Sequence, residues 1–199
     1  MNLSGTRNAF RLFTRPSLAI PHITVPTFDK IQVPIAYQDW PEIKAVVLDR
    51  DNTFAVKGSI YVHKQYKETF ESLRRAYPGP RLLIVSNSVG TDKYPISEVE
   101  FLEEGTGVKV FRHSIKKPGC GKDVFDYFRS NPDVNVTKPS EIAVIGDRLL
   151  TDVMMGNVMG MLSIWVRDGI IVKDGTFMRL EKGLPAFLGT AGFKSPAPS

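Results

Sequence analysis

Cysteine is nearly absent from this 199-residue chain: Cys120 stands alone, so no internal disulfide can form and a reducing compartment is the simpler expectation. Set between Gly119 and Gly121, it lacks the surroundings of a catalytic thiol and reads as a small packing residue. Long apolar runs are missing as well. None nears the roughly 18 to 20 residues a spanning helix needs, which leaves only peripheral contact with a membrane, and no apolar stretch suits a secretory signal. Histidine is scarce, with three in all, and neither His63 nor His113 has ligand-like spacing around it, so both read as structural. No repeat or low-complexity tract is found, apart from a short tail, Ser195 to Ser199, that is expected to be disordered.

The most local absence is that of acid. Met1 to Phe28 holds no carboxylate side chain; the first is Asp29. Within that stretch Arg7, Arg11 and Arg15 fall at i, i+4 and i+8, so a helix ended by Pro16 would gather them on one stripe, with Phe10 and Phe13 to its side. Pro21 and Pro26 keep Ser17 to Thr27 extended or irregular. Such a start suits a mitochondrial transit peptide, an interfacial helix on an anionic membrane, or a plain arm packed on the domain. A formal net charge of +5 and a pI near 9.3 favour anionic partners without choosing among them.

What is present reads as one globular domain, 41–190, with a basic arm at 1–40 and a flexible tail at 191–199. Apolar runs at Ile43 to Leu48, Arg81 to Val85, Val108 to Phe111, Glu141 to Ile145 and Leu162 to Val166 predict five buried strands. Between them, helical periodicity covers His63 to Tyr77, Ile96 to Glu104 with Gly105 as its cap, Lys122 to Arg129, and Leu149 to Met159. Beyond Val166 the pattern weakens. This alternation predicts an α/β fold: a three-layer sandwich around a mostly parallel, Rossmann-like sheet with right-handed crossovers.

Polar clusters follow the strands at Asp49 and Asp51, at Ser86 and Asn87, at Lys117, and at Asp147 with Asp152. In a parallel sheet such exits share one edge, so residues distant in sequence converge there. Two carboxylates one residue apart in extended chain face the same way. Asp49 can then act as nucleophile and, with Asp147, hold Mg²⁺, while Asp51 serves as acid and base. For the acid task the pKa of Asp51 would have to be raised. Lys117, with Lys116 as the fallback, and Ser86 supply positive charge and a donor for phosphoryl oxygens.

The segments Asp49-Arg50-Asp51-Asn52-Thr53, Ser86-Asn87-Ser88, Lys117-Pro118 and Gly146 to Asp152 resemble, in order and spacing, the four motifs of the haloacid dehalogenase (HAD) superfamily of phosphatases. The resemblance covers Ile43 to Val166. It implies Mg²⁺ as cofactor and metal ligation by Asp49, Asp147 and the backbone carbonyl of Asp51. It also implies substrate contacts from Asn52, Thr53, Ser86, Asn87 and Lys117, with Asp152 behind the metal ligands or else a plain helix-surface carboxylate. Arg50, at a variable position, is either a substrate contact or a surface residue. Roughly thirty residues separate the first two motifs, enough for one turn and one helix but for no large cap domain.

Across its whole length the chain also resembles the mitochondrial phosphatidylglycerophosphatases of fungi, through Asn2 to Asn8, Pro16-Ser17-Leu18, Val25-Pro26-Thr27-Phe28 and the motifs above. That resemblance implies hydrolysis of phosphatidylglycerophosphate to phosphatidylglycerol in cardiolipin synthesis, peripherally on the matrix side of the inner membrane. The expected partners are a phospholipid substrate and an anionic membrane surface met by the N-terminal arm. Nucleic acid is not expected, and a homo-oligomer is left open. Three rivals remain: a phosphatase of soluble sugar phosphates or nucleotides, a receiver-like domain phosphorylated on aspartate, and a catalytically dead scaffold, which is weakened because no motif residue is missing. The second has no need of Asp51.

Overall fold

The computed structural model describes residues 12, 14–171 and 176–198. Arg7, Arg11, Phe10, Phe13 and the Asn2 to Asn8 segment lie outside them. Six strands form one all-parallel sheet: β1 (Ile23–Val25), β2 (Ala45–Leu48), β3 (Leu82–Ile84), β4 (Lys109–Val110), β5 (Ile142–Gly146) and β6 (Leu162–Val166), in the order β1-β6-β5-β2-β3-β4. Five helices accompany them among the described residues: α1 (Lys67–Ala76), α2 (Ile96–Thr106), α3 (Gly121–Ser130), α4 (Met154–Met159) and α5 (Thr176–Thr190).

Strand periodicity divides the core in two. Val46 and Leu48 point to the face packed by Phe70 and Leu73 of α1, Leu102 of α2, and Val25, Phe28 and Ile31 from the N-terminal stretch. Ala45 and Val47 point to the opposite face, against Val124 and Phe128 of α3 and Met155 of α4. Burying both faces is what turns these strands into continuous apolar runs. The three-layer α/β sandwich expected from the sequence is thus the observed architecture.

Local differences have local causes. Helix α2 runs past Gly105 to Thr106, whose hydroxyl donates to the Leu102 carbonyl at 2.6 Å; the cap is Gly107, in the left-handed region at φ 64°. Strand β1 lies within the stretch read as extended or irregular and makes the sheet six-stranded, pairing Ile23 with Ile164 and Val25 with Val166. Helix α5 lies where the periodicity fades, with Pro185 inside it.

The chain leaves β2 for β3 and β4 on one side, then returns to lay β5 and β6 on the other. That reversal opens a crevice beyond the carboxyl ends of β2 and β5. Asp49 and Asp147 stand there.

Candidate active site

Asp49 follows β2 directly, its amide still donating to the Ile145 carbonyl at 2.8 Å, so its place is set by the ladder itself. Asp147 follows β5 in the same way, and its carbonyl accepts from the Trp165 indole at 3.0 Å. Asp152 arrives through a π-helical turn, Leu149–Val153, of a kind often found at functional sites. Gly146 lets that turn close: a Cβ there would sit 2.3 Å from the Asp152 carboxyl carbon.

One carboxylate oxygen from each of Asp49, Asp147 and Asp152 lies within 4.8 Å of the others. Lys117 enters this acidic group, its ammonium 2.6 Å from both Asp49 Oδ1 and Asp152 Oδ1. Burial alone would lower the lysine pKa, but Asp152 and Asp49 outweigh it and keep the ammonium above its ordinary range. Burial pushes Asp49 up to about 6 against the pull of Lys117. Asp147 is pushed up to about 8, by burial first and then by Asp49 and Asp152. Three buried carboxylates against one ammonium leave an excess of negative charge, and Asp147 Oδ1 is buried with no hydrogen-bond partner among the described residues. An all-oxygen site with that excess fits a hard divalent cation.

Asp51 faces the same cleft, but its expected upward shift is not found. Burial does favour the protonated form; Ser88 and Arg50 overcome it and hold the carboxyl below its usual range. Arg50 is neither a substrate contact nor a surface residue: it is 2% exposed and ion-paired with Asp51 at 2.6 Å. Asn52, at φ 65°, donates to Asp147 Oδ2 at 3.0 Å and accepts from the amides of Ile170 and Ile171 at 3.1 and 2.7 Å. Thr53 is fully buried and donates to Asp49 Oδ2 at 3.3 Å, which puts it behind the carboxylate, away from a substrate. Asn87 lines the cleft, yet both ends of its amide meet the Lys117 backbone, at 2.7 and 3.4 Å. The Ser86 hydroxyl lies 2.9 Å from that of Ser88.

The cleft holds about 570 Å³, and the exposed Lys57, Lys116 and Arg148 line it together with the groups above. Sequence reasoning passed over Ser88 and the pairing of Arg50 with Asp51. Ser88 was within reach, as the second hydroxyl of the same strand exit; the arginine pairing was not, because alternation along an extended chain sends Arg50 away from Asp51. Cys120 is buried, with its thiol pushed up to about 12 by that burial, and His113 is held by the carbonyls of Ile115 and Ser86 at 2.8 and 3.1 Å. Neither is placed for chemistry.

A nucleophile-bearing strand exit, a second aspartate beside it, a buried lysine and a carboxylate trio are the parts of a metal-assisted phosphatase. Comparison with known proteins agrees. The profile of the mitochondrial PGP phosphatase family matches residues 3–171. A Saccharomyces cerevisiae protein, phosphatidylglycerophosphatase GEP4, mitochondrial, is 44% identical over 95% of this chain and 100% of its own length. A Schizosaccharomyces pombe protein, probable phosphatidylglycerophosphatase, mitochondrial, is 30% identical over 92% of this chain and 91% of its own. With a family match spanning most of its length and a relative similar from end to end, this chain belongs to the mitochondrial PGP phosphatase family.

Proposed function

We propose that this phosphatase hydrolyses phosphatidylglycerophosphate to phosphatidylglycerol, the step that supplies cardiolipin synthesis, in mitochondria and peripherally on the matrix side of the inner membrane. The observation that carries the reading is the Asp49 carboxylate, held by Lys117 and Thr53 in a cleft that Asp51 also faces. The names of the two fungal relatives support the substrate and the compartment. Peripheral attachment agrees with the finding that no helix among the described residues is long and apolar enough to cross a membrane. The acid-free start of the chain would meet anionic lipid.

A divalent cation, Mg²⁺ by the all-oxygen donor set, would be held by Asp49, Asp147 and the Asp51 carbonyl, with Asp152 behind them; bound there, it supplies positive charge against the phosphoryl oxygens. An oxygen of Asp49 attacks phosphorus as the bond to the glycerol oxygen breaks, forming an aspartyl-phosphate. Asp51, ionised at rest, takes up a proton as the phosphate's negative charge enters the cleft and passes it to the departing oxygen, then takes one from the water that attacks phosphorus and frees Asp49. Lys117 keeps Asp49 oriented and Ser86 donates to a phosphoryl oxygen. Lys57, Lys116 and Arg148 surround the mouth with positive charge suited to an anionic headgroup.

Phosphate release from phosphatidylglycerophosphate in mixed micelles, with Mg²⁺ and with EDTA, tests this beside a panel of soluble esters. Metal-dependent turnover favouring the lipid is expected. Equal or better turnover of sugar phosphates would overturn the substrate, and turnover undiminished by EDTA would overturn the cation.

A further inference from the structure

The side chain between the two motif aspartates is the least accounted for in the site. Arg50 is 2% exposed, yet it turns back onto its neighbour: its Nε and Nη2 donate to Asp51 Oδ1 at 3.0 and 2.6 Å, and the Gly58 amide adds a weaker donation at 3.4 Å. The Arg50 carbonyl accepts from the amides of Thr53, Phe54 and Ala55, so the backbone carrying the fork is fixed as well. On the other oxygen, Asp51 Oδ2, the Ser88 hydroxyl at 2.6 Å is the one donor among the described residues.

A carboxylate oxygen has two lone-pair sites. Oδ1, with three donors, has none to spare, while Oδ2, with one, keeps a site free. The two oxygens of Asp51 are therefore not equivalent.

We propose that Arg50 is a positioning residue for the reaction: by saturating Asp51 Oδ1 and fixing the carboxyl plane, it reserves Oδ2 as the atom that carries the proton to the leaving oxygen. The inference rests on the phosphatase mechanism above and on Asp51 as its acid, but not on which ester is the natural substrate. Arg50 touches no reacting atom; its effect passes through Asp51. A lysine could match its charge but not its planar pair of donors.

Proton donation matters most when the leaving group is a poor one. An alkoxide needs the proton as the P–O bond breaks, whereas p-nitrophenolate departs without it. The ratio of kcat/KM for glycerol 3-phosphate to that for p-nitrophenyl phosphate therefore reads Asp51 Oδ2, because kcat/KM includes only steps up to departure of the leaving group. Arg50→Met is expected to lower the alkyl value by roughly 10²-fold, within the usual reach of general acid catalysis, and the aryl value several-fold at most. Arg50→Lys should fall between Arg50→Met and wild type, and it carries the test if the methionine variant does not fold.

A double-mutant cycle with Asp51→Asn supplies the second readout. If Arg50 acts through Asp51, its replacement adds no further alkyl loss in the Asp51→Asn background. Equal losses on both esters, an unchanged ratio, or additive losses in the cycle would each overturn the proposal. Wild-type turnover of soluble esters without turnover of phosphatidylglycerophosphate would reject the substrate reading and leave this inference standing. A wild-type chain inert toward every ester would remove both.

Discussion

At neutral pH the buried carboxyl of Asp147, pushed up to about 8, holds a proton as long as no cation shares its site. A divalent ion must displace that proton, because it binds the carboxylate form. The apparent Mg²⁺ affinity should therefore rise roughly tenfold per pH unit up to about pH 8 and level off above it. Mg²⁺ titrations of activity at pH 6, 7 and 8.5 check this, and an affinity flat across that range would contradict the assigned ligand. Asn52 supports the same carboxylate from outside. Asn52→Ala removes the side-chain acceptor of the Ile171 amide, leaves the Ile170 amide only its 3.2 Å bond to the backbone carbonyl of residue 52, and places alanine at φ 65°. A lost hydrogen bond at about 0.5–1.5 kcal/mol and an alanine in left-handed backbone at about 1–2 kcal/mol give an expected loss of about 2–3 kcal/mol by urea unfolding, together with reduced turnover. Asp49, Asp51 and Asp147 were legible in the sequence because each belongs to the first chemistry after a strand, where position follows from topology, and Lys117 because it stands with Pro118 just before a helix. Thr53 and Arg50 were not, because their roles depend on rotamers chosen after the chain has left the strand.

Elements follow the same division. Strands β2, β3, β5 and β6 announce themselves as runs buried on both faces, whereas β1 has three residues between prolines and exists because β6, far along the chain, offers an edge. Its closeness to the far end of the chain is equally non-local: His22 Nε2 lies 2.8 Å from the Pro196 carbonyl. The entry to β5 shows what holds neighbouring strands in place at the edge away from the active site. Glu141 is ion-paired with Lys44 at 2.8 Å and accepts from the Thr137 and Lys138 amides at 2.6 and 3.2 Å, while its carbonyl accepts from the Lys44 amide just before β2. Burial opposes ionisation here, yet these donors hold the carboxyl down at about 2, below its ordinary 4.5. A depressed folded-state pKa stabilises above the unfolded value, and that contribution is lost as pH falls from about 4.5 toward 2. Glu141→Gln should cost at most about 3 kcal/mol at pH 7, with the gap to wild type closing through that acid window. Urea unfolding at pH 7, 5 and 3 would show it, and a gap that persisted unchanged at pH 3 would mean the charge is not its source.

For the molecule as a whole, the basic start of the chain and the phosphatase fold are not separable at the first aspartate. Residues 16–31 supply strand β1, the buried Phe28 and Ile31, and the Leu18 and Ile20 carbonyls that accept from Asn157 at 3.0 and 2.8 Å. Losing Phe28 alone would cost about 3–5 kcal/mol by the usual scale of Phe→Ala in a core, against a typical total near 5–15 kcal/mol. A chain lacking residues 1–28 should therefore lose cooperative unfolding, and any loss of lipid turnover in it would say nothing about membranes. Removing residues 1–13 leaves every strand and the Asn157 contacts in place, so that shorter chain is expected to keep its melting midpoint within a few degrees and its turnover of soluble esters. Phosphatidylglycerophosphate presented in anionic vesicles and in detergent micelles then separates the roles. A loss confined to vesicles would assign the basic arm to membrane docking. Equal turnover in both would remove the arm from that role while leaving the catalytic residues where they are, and a wild-type midpoint for the chain lacking 1–28 would show that β1 and Phe28 are dispensable to the fold.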